Sequence, residues 1–263
     1  MDPLKKINII EYRDGSFSES ADSVTSEKRL RIFSNDKEVL SLLCTPTMVR
    51  ELVVGFALSE GLVENKGRKD LQQPWCAERI EIMWKQDEIE VHLPVEFPEA
   101  PATLTSGCAK GITFISNVSE EQIPVIKDNV SVNISAIIGQ YQEFQKRSEL
   151  FRATGGVHSA ALCDEQEIIV FADDIGRHNA VDKIIGYAFL ENIPLKGKLL
   201  LLSGRLSSEI TTKTITAGIP ILVSRAAPTD LSIDIARRSK LTLIGFLRGR
   251  RLNIYSGADR ILK

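Results

Sequence analysis

The chain has 263 residues, 43% of them hydrophobic and 26% charged, which allows one large core or two modest ones and argues against disorder. A formal net charge of -2 excludes a global attraction to nucleic acid or anionic lipid, so an anion site has to come from local clusters of Arg and Lys. Cys44, Cys76, Cys108 and Cys163 form no C-x-x-C pair, which argues against a zinc knuckle, a dithiol motif or a disulfide framework. The start, MDPLKKINIIEYRDGS, lacks a long apolar run, and no stretch approaches the roughly 20 apolar residues of a membrane span. A cytoplasmic protein is expected.

In chain order, residues 14 to 28 are polar and rich in Ser, with too little apolar surface to order themselves, and are expected to be loop. RLRIFSN and EVLSLLC read as a hairpin around Asn35 and Asp36. TPTMVRELVVGFALSEG reads as a helix with Thr45 as N-cap, Pro46 at the first helical position and Gly61 closing the end. ERIEIMWK and EIEVHLP suggest a second hairpin around Gln86 and Asp87, before the Pro-rich PVEFPEAPATL. Residues 1–130 are thus expected to form a smaller β-rich N-terminal part with one strong helix.

Residues 131–263 alternate regularly. SAIIGQYQEFQKRSELF reads as one helix, AALCD and EIIVFAD as paired strands, and DIGRHNAVDKIIGYAFLENI as a helix with Ala180, Val181, Ile184, Ile185, Ala188 and Phe189 on one face. KLLLLS, a helix through SSEITTKTITAG, IPILVS, a helix through TDLSIDIARRS, and LTLIGFLR follow. Short apolar runs between amphipathic helices indicate a three-layer α/β domain with buried strands.

In open α/β sheets ligands sit beyond the carboxyl ends of the strands, so polar residues after each apolar run are the candidates. Asp173, Asp174, Gly176, Arg177, His178 and Asn179 form one group, with Asp182 and Lys183 a turn onward. His178 with Asp182, and Asn179 with Lys183, are i, i+4 pairs on the expected helix. A capped helix start with solvated charges would use the same residues. In SGRLSSE, Gly204 lets backbone approach a ligand, Arg205 offers a planar fork of donors, and Ser207 or Ser208 can cap a helix whose free N–H groups favour phosphate. A plain strand-to-helix turn would read the same. In TGGVHSAAL, Gly155 and Gly156 permit close backbone approach, and His158 is either a ligand donor or a satisfied structural histidine. FLRGRRLNIY puts Arg248, Arg250 and Arg251 on a glycine-containing turn, which suits phosphate oxygens or a solvated basic loop.

Cys108 stands apart, in TLTSGCAKGITF, between glycines and beside Lys110. Flexible backbone and a neighbouring cation lower a thiol pKa and expose the thiolate. Cys44 and Cys163 each adjoin an apolar run and read as small core hydrophobes.

Together TGGVHSAAL, DIGRHNAVDK, SGRLSSEI, the AGIP and AAPT segments and GFLRGRRLNIY resemble, in that order, the FdhD formate dehydrogenase accessory proteins, over most of residues 45 to 263. The resemblance implies a cytidine-deaminase-like α/β fold and a sulfurtransferase. A persulfide taken from a cysteine desulfurase would form on Cys108 and pass to the bis(molybdopterin guanine dinucleotide) molybdenum cofactor used by formate dehydrogenase. That cofactor is the bound substrate, and no permanently bound metal is implied. The family's cofactor-binding segment falls on Phe246, Leu247, Arg248, Gly249, Arg250 and Arg251. Gly204 and Arg205 would add phosphate contacts, while His178, Asn179 and Asp174 would position nucleotide or protonate a leaving group. Many members carry C-x-x-C in the sulfur loop; here the match reads Cys108, Ala109, Lys110, Gly111, so Cys108 acts alone.

Two rivals come from other classes. A zinc nucleoside deaminase needs a His or Cys, x, Glu element and a P-C-x-x-C pair, but His158 is followed two positions later by Ala160 and no C-x-x-C exists. A noncatalytic cofactor chaperone would bind guanine dinucleotide and move no sulfur. The sequence leaves the oligomeric state open, and the edges of the N-terminal hairpins are ones that a homodimer could cover.

Overall fold

The computed structural model describes residues 1–60, 80–93, 103–104, 112–113 and 123–263. The chain opens with a ten-pair antiparallel hairpin, β1 (Leu4–Arg13) and β2 (Ser16–Thr25). This corrects the loop expected over residues 14 to 28. Asp14 (φ 50°) and Gly15 (φ 89°) both take positive φ, the two-residue turn whose twist matches a right-handed hairpin. Backbone pairing with β1 orders a segment that has little apolar surface of its own. Thr25 anchors its end through a 2.9 Å hydroxyl contact with Thr154.

A four-stranded sheet follows, built from β3 (Lys28–Ser34), β4 (Lys37–Cys44), β5 (Glu81–Trp84) and β6 (Glu88–Leu93) in the order β4-β3-β6-β5. Both expected hairpins are present in it, and Asn35 and Asp36 take positive φ at the first turn. Helix α1 (Val49–Ser59) links the halves of this sheet in sequence. Its N-cap is Met48, in left-handed conformation, and not Thr45. Thr45 is drawn away to the larger sheet: its hydroxyl accepts from Ile175 N at 3.2 Å and its N–H donates to Asp174 Oδ2 at 3.1 Å. Gly61 lies outside the described residues. A short pair, β7 (Thr103–Leu104) and β8 (Ile112–Thr113), precedes the second half.

That half runs β9 (Val132–Asn133), α2 (Ile134–Arg147), α3 (Glu149–Thr154), β10 (His158–Cys163), β11 (Ile168–Asp174), α4 (Arg177–Leu190) and β12 (Leu199–Leu202). It continues with α5 (Ser208–Thr216), β13 (Ile221–Ser224), α6 (Asp230–Arg238), β14 (Thr242–Arg248), β15 (Arg251–Ser256) and β16 (Ile261–Leu262), which pairs with β9. The single helix expected over 135–151 is broken at Ser148, whose ψ of 98° is extended. Its hydroxyl donates to Asp173 Oδ2 at 2.7 Å and accepts from Phe151 N at 2.9 Å, so it caps α3 while tying it to β11.

β10 to β15 form a six-stranded sheet in the order β11-β10-β12-β13-β14-β15. Alternation along β12 divides the core: Leu200 and Leu202 join residues of α1, α4, α5 and α6, while Leu199 and Leu201 join Ile137, Tyr141 and Phe144 of α2 on the other face. The result is a mixed α/β protein with helices on both faces of its main sheet. The first cluster also takes in Leu30, Ile32 and Val91, so the small sheet and the large one share apolar packing.

Helices α1 and α4 meet at bare backbone. A Cβ on Gly55 would stand 1.7 Å from Asp182 O, and one on Gly186 1.9 Å from Glu51 O. Buried ions lock the same interface. Lys213 of α5 pairs with Asp182 at 2.9 Å and Glu60 at 2.8 Å, and donates to Ser59 Oγ at 2.7 Å. Burial opposes the Lys213 ammonium, but the Asp182 and Glu60 carboxylates outweigh it and hold its pKa above the ordinary lysine value. Lys183 pairs with Asp174 at 2.7 Å and donates to Asp173 O at 3.0 Å and to Thr45 O and Thr47 Oγ1 at 3.2 Å each. The His178–Asp182 and Asn179–Lys183 pairs expected along α4 do not form, and Asp182 and Lys183 are not solvated charges either: both face neighbouring elements, because α4 is covered on more than one side. Among the described residues no helix is long and apolar enough to cross a membrane.

Candidate functional site at the strand-end edge

β12, β13 and β14 are parallel, β10 is antiparallel to both β11 and β12, and β15 is antiparallel to β14. The ends of β11 to β14 and the starts of β10 and β15 therefore share one edge. All four sequence clusters converge there. This is the position at which open α/β sheets leave a crevice for ligands.

At the β10 side, His158 Nδ1 lies 3.4 Å from Ser203 Oγ, which accepts from Ser159 N at 2.9 Å. Burial, joined by the nearby Arg177 and His178, lowers the His158 pKa. Gly204 packs closely on this group: a Cβ there would stand 3.1 Å from Arg177 Cβ, so that side chain would have to give by a few tenths of an ångström. Arg205, next in the chain, is exposed.

Two helix starts meet beside this group. His178, in the first turn of α4, places Nε2 3.1 Å from Glu209 Oε2, in the first turn of α5, and both side chains are 21% exposed. His178 holds the Glu209 carboxyl below the usual carboxylate range. Ser207 caps α5, accepting from Ile210 N at 3.5 Å. Asn179 and Asp174 serve the frame: Asn179 Nδ2 donates to Asp174 Oδ1 and to Leu43 O, each at 2.8 Å, and Asp174 is fully buried against Lys183. Asp174 thus has no exposed atom with which to position a nucleotide. Asp173 accepts from Ser159 at 2.6 Å and Ser148 at 2.7 Å; burial nevertheless raises its pKa.

At the far side, the pairing of β14 with β15 shifts register between Gly245 and Arg248. Within that bulge Phe246 takes φ 53°, an uncommon conformation for an aromatic residue, held by its N–H bond to Ala226 O at 3.2 Å. Gly249 supplies φ 60° at the turn. An open cleft of about 430 Å³ is lined by Phe246, Arg248, Arg251 and Asn253. The Arg248 guanidinium lies 5.8 Å from the Phe246 ring centre, and Arg250 is exposed at the tip. Leu247 differs from its neighbours: it is 1% exposed and belongs to the apolar layer beneath α2, so its side chain is core.

Cys108, the expected sulfur-bearing residue, lies outside the described residues, as does Cys76. Cys44 and Cys163 are buried, and burial pushes both thiols up to about 12, as suits core hydrophobes. Among the described residues no group of three or more His, Cys, Asp or Glu is placed to hold a metal ion. Glu209, Ser203 and Arg225 also stand at this edge, beyond the side chains that the sequence motifs single out. The signal for Arg225 was present: SRAAPT follows the apolar run IPILV as SGRLSSE follows KLLLL.

Fold and edge together define a mixed α/β protein with a basic strand-end surface. The FdhD/NarQ family profile matches residues 25–262, and the chain belongs to that family. It is 38% identical over 266 residues to the sulfur carrier protein FdhD of Listeria monocytogenes serotype 4b, covering 99% of this chain and 100% of that one. It is 35% identical to the protein of the same name from Bacillus pumilus, covering 98% and 97%. Among solved structures, a chain from Desulfotalea psychrophila assigned as a formate dehydrogenase accessory protein superposes with a TM-score of 0.76 at 26% identity, over 99% of this chain and 100% of that one.

Proposed function

We propose that this protein is a sulfur carrier serving formate dehydrogenase, with Cys108 as the residue that bears the sulfur. The Cys108 thiolate attacks the terminal sulfur of a cysteine desulfurase persulfide, releases the desulfurase thiolate, and presents the new persulfide to the molybdenum of bis(molybdopterin guanine dinucleotide). The cofactor is substrate. Phe246, Arg248, Gly249, Arg250 and Arg251 hold its guanine dinucleotide, with Gly204 and Arg205 adding phosphate contacts and His178 beside them. The observation that carries the cofactor half is the open cleft at the end of β14, where guanidinium groups stand beside an aromatic ring on a bulged strand. Bidentate guanidinium–phosphate contacts are the strong, directional kind that such a ligand needs. The sulfur half rests on the setting of Cys108 between glycines and on the name shared by the relatives. The cytidine-deaminase-like character of the fold belongs to the same proposal, supported by a sheet in which β10 runs antiparallel between β11 and β12.

Intact-protein and peptide mass spectrometry after incubation with a cysteine desulfurase and cysteine tests the carrier step. A reducible gain of one sulfur on the Cys108 peptide, absent in Cys108→Ala, is expected. An unmodified Cys108 in the presence of a competent desulfurase would reject the carrier and leave the noncatalytic cofactor chaperone.

A further inference from the structure

One basic residue of the strand-end edge has no part in the contacts above. Arg225 directly follows β13, the strand between β12 and β14. It is exposed, and among the described residues no carboxylate pairs with it, nor with Arg205, Arg248, Arg250 or Arg251. In a chain of net charge -2, arginines without counter-charges on three adjacent strand ends are an arrangement that an anion would relieve.

Hydrogen bonds make the three turns one platform. The Arg225 N–H donates to the Tyr141 hydroxyl at 2.9 Å, and that hydroxyl donates to Leu202 O at 2.9 Å, so a fully buried side chain from α2 fixes the ends of β12 and β13 together. Burial pushes the Tyr141 phenol up to about 12, which keeps its proton in place. Ser224 Oγ donates to Gly204 O at 2.7 Å and accepts from Ala226 N at 3.1 Å. Leu206 N donates to Ala227 O at 3.1 Å, and Phe246 N to Ala226 O at 3.2 Å. Arg205, Arg225 and Arg248 thus extend from backbone that is already fixed, which lowers the ordering cost of binding. Neighbouring strands lie about 4.8 Å apart, so the three backbones span roughly 10 Å, a width that long arginine side chains can close on one pyrophosphate.

We propose that Arg225 is a phosphate-binding residue, the middle of an arginine row, Arg205, Arg225 and Arg248, that takes the pyrophosphate of a purine dinucleotide. The inference rests on reading this edge as the cofactor's phosphate site. It adds a residue and a direction: the ligand extends from the β14–β15 cleft across β13 toward Gly204.

Calorimetric titration of the full chain with GDP and with inorganic pyrophosphate tests it, comparing wild type with Arg225→Gln, Arg225→Lys, Arg248→Gln and Arg147→Gln. Arg147 lies at the end of α2 and is exposed, which makes it a control for loss of bulk charge. Arg225→Gln is expected to weaken both probes about tenfold, Arg225→Lys to restore part of the loss because it keeps charge without the planar fork, and Arg147→Gln to bind as wild type. Wild-type affinity in Arg225→Gln alongside a loss in Arg248→Gln overturns the row and leaves the proposed function standing. Equal losses in Arg147→Gln and Arg225→Gln overturn it as bulk charge. If wild type binds neither probe, the row and the phosphate reading of the edge fall together.

Discussion

The interface of α1, α4 and α5 and the carboxyl edge of the large sheet are both built on charged side chains, and they use them in opposite ways. Under the helices, Lys213 and Lys183 are buried with carboxylates between 2.7 and 2.9 Å away. At the edge, Arg205, Arg225, Arg248, Arg250 and Arg251 are exposed, with no carboxylate partner among the described residues. Removing one member of a buried pair strands an ion away from water, so those charges are committed to the fold. An exposed guanidinium keeps its hydration and costs little to leave open, so its charge remains available to an anion. Whether a charge already has a partner thus separates frame from site.

The comparison breaks most sharply at the buried interface. Lys213→Met leaves the buried Asp182 without its cation and is expected to cost about 3–5 kcal/mol in urea unfolding. A loss below about 1 kcal/mol would mean that the interface tolerates unpaired charge. Gly55→Ala comes next, because its Cβ would overlap Asp182 O, and a loss of about 1–3 kcal/mol or more is expected from forcing α1 away from α4. At the edge, Arg248→Gln is expected to leave unfolding within about 0.5 kcal/mol of wild type while weakening GDP about tenfold. Matching losses of stability and affinity would erase the distinction between the two regions.

The smallest effect sharpens the boundary between them. His158 has a folded pKa below its ordinary 6.5, so as pH falls through that value the unfolded chain takes up a proton before the folded one does. Stability therefore falls as pH drops below 6.5, and His158→Gln is expected to flatten that part of the curve. Glu209 acts lower on the scale: its depressed carboxyl contributes stability above the ordinary glutamate value that is lost as pH falls through the folded pKa. Glu209→Gln is expected to remove that contribution, read as a smaller loss of stability on acidification.

Much of this was legible in the sequence because it depends on near neighbours in the chain. Period-two and helical patterns located the strands and helices of the large sheet, and Asn35 and Asp36 marked a turn from local backbone preference alone. The family resemblance stood on short motifs that needed no coordinates. The same sequence held one signal passed over, Asp14 followed by Gly15, which outweighs the polar composition of β2 because a hairpin is ordered by backbone pairing as well as by apolar burial. Tertiary structure alone decided what touches what. Thr45 left the cap of α1 for the end of β11, Ser148 divided a helix to reach Asp173, and Leu247 turned from a basic motif into the core. Lys183 and Asp174, nine positions apart, became an ion pair because a strand end and the helix after it face each other across a turn. A sequence fixes which side chains carry charge and where backbone bends; only packing decides which charges find partners and which remain for a ligand.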